Sequence, residues 1–146
     1  LLASSAASDV YKRQLVIQEQ TGLLLHEIIE QQGDDGFRQV ENRINAELAV
    51  KHSVIATGGS VIYGREAMQH LKKIGVVIYL KLSCESIAAR LGDLRKRGIT
   101  LREGQTLQQL YDERVPLYER YADITVNCES KSIREIVAEI VARLPK

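Results

Sequence analysis

The sequence predicts an α/β fold in which helices cover a parallel sheet on both of its faces. Three short apolar segments are typical of buried strands, at residues 53–57 (SVIAT), 76–82 (VVIYLKL) and 123–127 (DITVN). Longer stretches with helical periodicity lie between them, and parallel strands need crossovers of that length. The chain of 146 residues is long enough for one domain with a substantial core. We therefore predict one domain with three layers, in which a parallel sheet lies between two layers of helices.

Residues 1–14 differ in pattern from residues 15–146. The first segment, LLASSAASDVYKRQ, is rich in Ser and Ala and shows neither a period of two nor a period of 3.6. We expect an unstructured tail or a foreign junction there, and the folded domain in residues 15–146.

The first predicted helices occupy residues 15–20 and 24–32. A Thr-Gly pair interrupts the first, and Gly33 is the residue type that commonly follows the last turn of a helix. Asp34 or Asp35 can cap the next helix. Its apolar stripe recurs at spacings of three and four, at Phe37, Val40, Ile44 and Leu48.

Capping signals mark the later helices. Residues 64–74 have helical periodicity, and Ser83 can cap a helix that extends through Leu91. Thr106 and Ser132 each stand three residues before a Gln or a Glu, which is the capping-box spacing. The last helix is strongly amphipathic, with apolar residues Ile133, Ile136, Val137, Ile140, Val141 and Leu144.

A proline falls within the helix that Thr106 begins. We predict that this helix runs to about Arg114, because Pro116 has no N–H to donate and crowds the preceding turn. We expect a kink or a fresh helix start at Pro116.

Composition and charge exclude several classes of protein. No apolar run approaches the roughly 20 residues that a membrane span needs, so we expect no integral membrane protein. With 20 Lys and Arg against 19 Asp and Glu, the net charge of +1 argues against a nucleic-acid coat. Cys84 and Cys128 have no Cys or His at zinc-ligand spacing and fit a reducing compartment. We expect a cytoplasmic monomer that binds neither nucleic acid nor membrane and has no metal-ligand cluster.

The end of the first predicted strand is a candidate ligand site. Thr57-Gly58-Gly59-Ser60 follows this strand, and ligands bind beyond the carboxyl ends of parallel strands. Two adjacent glycines let the backbone approach a ligand and offer N–H groups to an anion. A tight turn explains the same residues, so the glycine pair alone leaves both interpretations open.

Two further places carry residues suited to binding. Arg38 stands one helical turn from Glu41, so its guanidinium can be held ready for a carboxylate ligand, or the two can form a solvated pair. Residues 90–103 carry five Lys or Arg against two acids and contain glycine. That composition is typical of a closing lid in phosphoryl transfer and also of an exposed basic loop.

Three stretches occur in a characteristic order, GDDGFRQVE at residues 33–41, VIATGGS at residues 54–60 and ERVPLYERYAD at residues 113–123. Together with the basic segment, they resemble the shikimate kinase family over residues 15–144. The resemblance implies a P-loop kinase fold of the nucleoside-monophosphate-kinase type. It also implies transfer of the ATP γ-phosphate to the 3-hydroxyl of shikimate, on the route to chorismate and aromatic amino acids.

The resemblance implies an acceptor site. Arg38 and Arg114 would bind the carboxylate of shikimate, and Gly58 and Gly59 would contact the same substrate. Ser60 stands where the family has a third glycine. The implied roles agree with the chemistry of the residues, since two guanidinium groups suit one buried carboxylate.

The resemblance also implies a nucleotide site, with ATP and Mg²⁺ as cofactors. Arg97 would be the catalytic lid arginine at the ATP phosphates, and Arg90 and Lys131 would lie near the adenine. The residues after Arg97 are Gly and Ile, where the family usually has Pro and Leu. This departure makes Arg102 a rival for the lid role.

The phosphate-binding motif of P-loop kinases, G-x-x-x-x-G-K-[ST], does not occur in residues 1–146. The resemblance implies that the first strands and the P-loop are lacking, including a central strand between residues 53–57 and 76–82. Such a strand makes about ten hydrogen bonds at about 1 kcal/mol each, against a total stability of about 5–15 kcal/mol. We therefore expect residues 1–146 by themselves to be loosely folded and catalytically inactive.

Two other functions stay open at this point. Another small-molecule kinase of the same fold, such as a gluconate kinase, explains the sheet and the lid but not both carboxylate-binding arginines. A non-catalytic module would keep the shikimate pocket without phosphoryl transfer.

Overall fold

A five-stranded sheet forms the centre of the computed structural model, which describes residues 2–3, 9–91, 101–102 and 104–145. The strands are β1 Leu2–Ala3, β2 Asp9–Lys12, β3 Ser53–Ala56, β4 Val76–Lys81 and β5 Ile124–Asn127. Their order across the sheet is β2-β3-β1-β4-β5. Strand β2 is parallel to β3 and β4 is parallel to β5, whereas β1 is antiparallel to both of its neighbours. The predicted α/β class and the three predicted strands are confirmed.

Helices connect these strands. Within the described residues they are α1 Arg13–Thr21, α2 Leu25–Ala46, a 3-10 helix Gly59–Tyr63, α3 Arg65–Ile74, α4 Cys84–Leu91, α5 Leu107–Tyr121 and α6 Ile133–Arg143. Helix α2 is continuous in its bounds but bends at Gly33, where φ is 69° and ψ is −179°. The predicted helix end at Gly33 therefore appears as a kink, which glycine accommodates because it has no Cβ. None of the described helices combines the length and apolarity that a bilayer crossing requires.

Two strands lie in the segment for which the sequence predicts an unstructured tail. Strand β2 pairs with β3 over four residues, and Leu2 of β1 lies opposite Ile55 on one side and Val77 on the other. Strand β1 thus lies between β3 and β4, where we expected no strand. Pairing of this kind is made by backbone N–H and C=O groups, so segments of two and four residues need no side-chain period to enter a sheet.

The caps predicted at Ser83, Thr106 and Ser132 are confirmed, whereas no capping hydrogen bond to Asp34 or Asp35 is described. Thr106 Oγ1 accepts a hydrogen bond from the Gln109 N–H at 3.1 Å, and Ser132 Oγ accepts one from the Glu135 N–H at 3.3 Å. In both helices the side chain of the third residue also accepts from the backbone N–H of the cap, which completes a capping box. Helix α5, which carries Arg114, therefore has a fixed beginning.

Helix α5 continues through Pro116 to Tyr121, so the predicted end near Arg114 and a fresh helix start at Pro116 are wrong. The proline removes one backbone hydrogen bond. Packing on both sides compensates, because Leu110 is buried before the proline and Leu117, Tyr118 and Tyr121 pack against the core after it.

Asn42 fixes the second half of α2 to α3. Its Oδ1 accepts a hydrogen bond from the Ala67 N–H at 3.0 Å, and its Nδ2 donates to Glu66 at 2.8 Å. Two residues of the candidate site, Arg38 and Glu41, belong to this half of α2. They are therefore carried by a helix that side-chain hydrogen bonds hold in place.

Candidate functional site

The chain bends sharply beyond the carboxyl end of β3, where Gly58 leads into the 3-10 helix. Ser60 Oγ donates a hydrogen bond of 2.6 Å to Glu41 Oε2, and Glu41 is buried, with 4% of its surface exposed. Tyr118 Oη donates to the Gly59 carbonyl at 2.8 Å. These contacts fasten the bend to α2 on one side and to α5 on the other.

Gly59 has no room for a side chain. A Cβ there would lie 2.8 Å from Tyr118 Oη and 3.0 Å from Arg114 Nη1, closer than real Cβ atoms approach. At Gly58 the corresponding position is 3.4 Å from Glu41 Oε1, an ordinary contact. The backbone therefore approaches closely at Gly59, as the glycine pair predicts, and one of the groups that it meets is the guanidinium of Arg114.

Arg38 and Arg114 come from distant helices and meet at one aromatic ring. The guanidinium carbon of Arg38 lies 4.6 Å from the centre of the Tyr63 ring, and that of Arg114 lies 5.6 Å from it. Both distances are in the range of cation–π attraction. The structure thus brings together the two arginines to which the sequence assigns one ligand.

Neither guanidinium has a carboxylate counter-ion among the described residues, whose ion pairs involve other side chains. Arg114 is partly buried, and burial by itself would lower its pKa. The hydrogen bond with Tyr63 and the proximity of Tyr118 outweigh burial and raise the pKa of Arg114. The site therefore holds two guanidinium groups that form no ion pair within the described residues, although the charges of Arg114 and Glu113 act on each other.

The neighbouring tyrosines keep their protons at neutral pH. Burial raises the pKa of Tyr118, although the charge of Arg114 opposes this shift, and burial together with the hydrogen bond to Glu113 raises the pKa of Tyr63. Both hydroxyls are thus donors, and neither ring adds a negative charge that would compete with a ligand for the arginines.

Glu113 anchors this part of the site. It accepts a hydrogen bond from Tyr63 Oη at 2.5 Å and one from Gln105 Nε2 at 3.3 Å, and Arg102 Nη2 lies 3.6 Å away. The hydrogen bond from Tyr63 is the main cause of its lowered pKa, with a smaller contribution from the charge of Arg102. Glu113 is therefore ionised at neutral pH and is directed towards Tyr63.

Two cavities adjoin these side chains. A polar one of about 490 Å³ is lined by Gln32, Gly33, Asp34, Asp35, Arg38 and Arg102. A mainly apolar one of about 400 Å³ has Gly58, Gly59 and Arg114 among its lining residues. Each arginine of the pair therefore has open volume beside it, which a small ligand could occupy.

The residues assigned to a nucleotide lie elsewhere or outside the described residues. Arg97 belongs to the segment that the structure does not describe. Lys131 Nζ forms an ion pair with Glu139 Oε2 at 2.6 Å, and Arg90 is exposed in the last turn of α4. Burial raises the pKa of the Cys128 thiol, and the charges of Lys131 and Arg90 both oppose that shift. The charges of both residues thus reach the same thiol, but Lys131 is paired with Glu139 and Arg90 lies on α4.

Three residues of the site are absent from the sequence prediction. Glu113 and Tyr118 stand within the stretch ERVPLYERYAD, whose pattern could have drawn attention to them. Tyr63 had no signal, because a tyrosine at the end of a short apolar segment is typical of packing alone.

Comparisons with known proteins show which family the chain is similar to. A sequence model described as "Shikimate kinase" matches residues 1–145. The curated shikimate kinase 1 of Citrobacter koseri is 32% identical in an alignment 147 positions long, which covers 98% of this chain and 85% of that protein, and the same values hold for that of Salmonella newport. A solved shikimate kinase from Acinetobacter baumannii, in complex with shikimate, superimposes with a TM-score of 0.80 at 29% identity, over 92% of this chain and 76% of that one. The enzyme from Aquifex aeolicus gives a TM-score of 0.75 at 30% identity, over 92% and 79% of the two chains.

Proposed function

The chain belongs to the shikimate kinase family, and we propose that Arg38 and Arg114 bind the carboxylate of shikimate in its acceptor site. The family consists of phosphotransferases that use ATP to phosphorylate shikimate. Gly59 then borders the acceptor, because its backbone lies beside Arg114 Nη1, and Gly58 lines the same cavity as Arg114.

One observation supports this proposal above the others. Two guanidinium groups from separate helices converge on Tyr63, and within the described ranges no carboxylate forms an ion pair with either of them. Guanidinium groups bind a planar carboxylate through paired N–H donors. Shikimate carries one carboxylate and no other charge, so two converging guanidinium groups that form no ion pair among the described residues match its only ionic group.

The chain's own residues contribute by positioning the acceptor. Holding the carboxylate at two points restricts the rotation of the ring, so that the 3-hydroxyl keeps one direction. Phosphoryl transfer depends mainly on such alignment and on charge neutralisation. Bound ATP supplies the phosphoryl group that the hydroxyl oxygen accepts.

The described residues include few of the side chains that would bind the nucleotide. Within the described residues, no three His, Cys, Asp or Glu side chains form a group that could hold a metal ion. Kinases bind Mg²⁺ mainly through the phosphates of ATP and through water, so bound ATP would bring the ion. We propose Arg97, or Arg102 in its place, as the lid arginine, and Arg90 and Lys131 as the adenine side. We also propose that the protein works in the cytoplasm as a monomer.

Calorimetric titration with shikimate tests the carboxylate assignment. Arg38→Ala and Arg114→Ala should each weaken binding about 10- to 150-fold, since a hydrogen bond to a charged group contributes about 1.5–3 kcal/mol. The matched controls are Arg43→Ala on α2 and Arg120→Ala on α5, both at exposed positions of the same two helices. Equal losses in the site and control variants would contradict the proposal.

The same titrations separate the alternative functions. A gluconate kinase would bind gluconate more tightly than shikimate. A binding module would bind shikimate but not ATP, whereas a kinase site binds both.

A further inference from the structure

Tyr63 occupies a central place in the site without any assigned role. It is the last residue of the 3-10 helix that follows β3, and its side chain packs partly against the core cluster around Ile62 and Met68. The exposed part of its ring faces the guanidinium groups of Arg38 and Arg114, at 4.6 and 5.6 Å. The ring is therefore the one contact, among those that the structure describes, that the two arginines share.

The ring is held at its hydroxyl as well as at its base. Tyr63 Oη donates to Glu113 Oε1 and accepts from Arg114 Nε at 3.4 Å. Glu113 is fixed in turn by Gln105 and Arg102. The position of the ring is thus set by a carboxylate whose hydrogen bonds go to residues other than the two arginines.

Two like charges that share no counter-ion repel each other, and each would turn towards solvent unless something held it. The negative face of an aromatic ring attracts guanidinium groups without accepting their N–H donors. A carboxylate in the same place would hold them more strongly but would compete with a ligand for those donors. The face of the Tyr63 ring therefore orders both arginines without accepting their N–H groups, and the Tyr63 hydroxyl engages Arg114 only through Nε.

We infer that Tyr63 is a positioning residue for the acceptor's carboxylate, whose ring keeps Arg38 and Arg114 oriented towards one shared anion. The inference rests on the proposed function of these arginines. Tyr63 then contributes to selectivity: its ring should strengthen the binding of a ligand with a free carboxylate but not the binding of the same ligand with an esterified carboxylate.

Titration with shikimate and with its methyl ester tests the inference. Tyr63→Leu and Tyr63→Met remove the ring, and the unbranched methionine fills the space in case leucine disturbs folding. Both variants should bind shikimate at least tenfold more weakly and bind the ester as the unaltered chain does. Tyr63→Phe keeps the ring, so its preference for shikimate over the methyl ester should stay within about threefold of the original. If only the hydroxyl mattered, this variant would lose the preference.

The matched control is Tyr121→Leu. Tyr121 packs against the same core cluster and also has an arginine over its ring, Arg120 at 5.9 Å. The described ring contacts of Tyr121 include neither Arg38 nor Arg114, although Tyr121 and Arg114 line the same cavity. This variant should keep the original preference for shikimate over the ester.

The outcomes separate the inference from the function on which it rests. If the unaltered chain does not prefer shikimate to its ester, the proposed function fails and this inference fails with it. If that preference exists and disappears in Arg38→Ala, but Tyr63→Leu and Tyr63→Met retain it, only the inference is overturned. Equal weakening of both ligands in the Tyr63 variants also overturns it, because that is the result of a packing role.

Discussion

Gly59→Ala changes the site by a single methyl group. The new Cβ would lie 2.8 Å from Tyr118 Oη and 3.0 Å from Arg114 Nη1, so both side chains must move. If Arg114 loses its contact with the ligand, binding weakens by about 1.5–3 kcal/mol, which is about 10- to 150-fold in the dissociation constant for shikimate. Gly58→Ala should cost less, since its nearest neighbour is Glu41 Oε1 at 3.4 Å.

Isothermal titration with shikimate and thermal unfolding measure the two consequences separately. In a Tyr118→Phe background the hydroxyl that crowds the new methyl group is gone, so Gly59→Ala should destabilise the fold less than it does in the original chain. The loss of affinity should persist there, because the contact with Arg114 is unchanged. A Gly59→Ala protein that is folded and binds shikimate normally would refute the reasoning, and so would a greater loss of affinity in Gly58→Ala.

Two further predictions concern stability and activity. Lys72 forms an ion pair of 2.6 Å with Asp123. Burial by itself would raise the pKa of Asp123, but the hydrogen bonds from Lys72 and from the Val77 N–H lower this pKa below the usual 3.8. Because the pair is partly exposed, Asp123→Asn should lower the free energy of unfolding in urea by about 1 kcal/mol or less at pH 7. This difference should disappear as the pH falls below 3.8 and through the lowered pKa of Asp123. A difference that grows in acid would contradict the assignment. Residues 1–146 contain no G-x-x-x-x-G-K-[ST] motif, so we predict no shikimate-dependent release of ADP from Mg²⁺-ATP by these residues alone. Release of ADP in a coupled assay would be evidence against this prediction. A sharp thermal transition would be evidence against the expected loose folding.

The helical part of the fold could be predicted because local chemistry determines it. Thr106 and Ser132 cap α5 and α6 through their own side chains, and Gly33 marks the bend in α2. Strands β1 and β2 could not be predicted, since they depend on pairing with β3 and β4, residues that are distant in sequence. The continuation of α5 through Pro116 likewise depends on packing against the core.

The part of the candidate site that could be predicted consists of residues whose type alone indicates what they can bind. Arg38 and the glycine pair carried such signals, because guanidinium groups and bare backbone suit anions, whereas Arg114 was assigned only through the resemblance to the family. The role of Tyr63 depends on three elements that meet in space, namely the 3-10 helix, α2 and α5. No sequence pattern indicates that these three elements come together around Tyr63.

A structure of residues 1–146 crystallised with shikimate tests the central claim most directly. The account predicts that the carboxylate oxygens lie within hydrogen-bond distance of both the Arg38 and the Arg114 guanidinium groups, beside the Tyr63 ring. A shikimate molecule whose carboxylate contacts only one of these arginines, or that binds away from them, would contradict it.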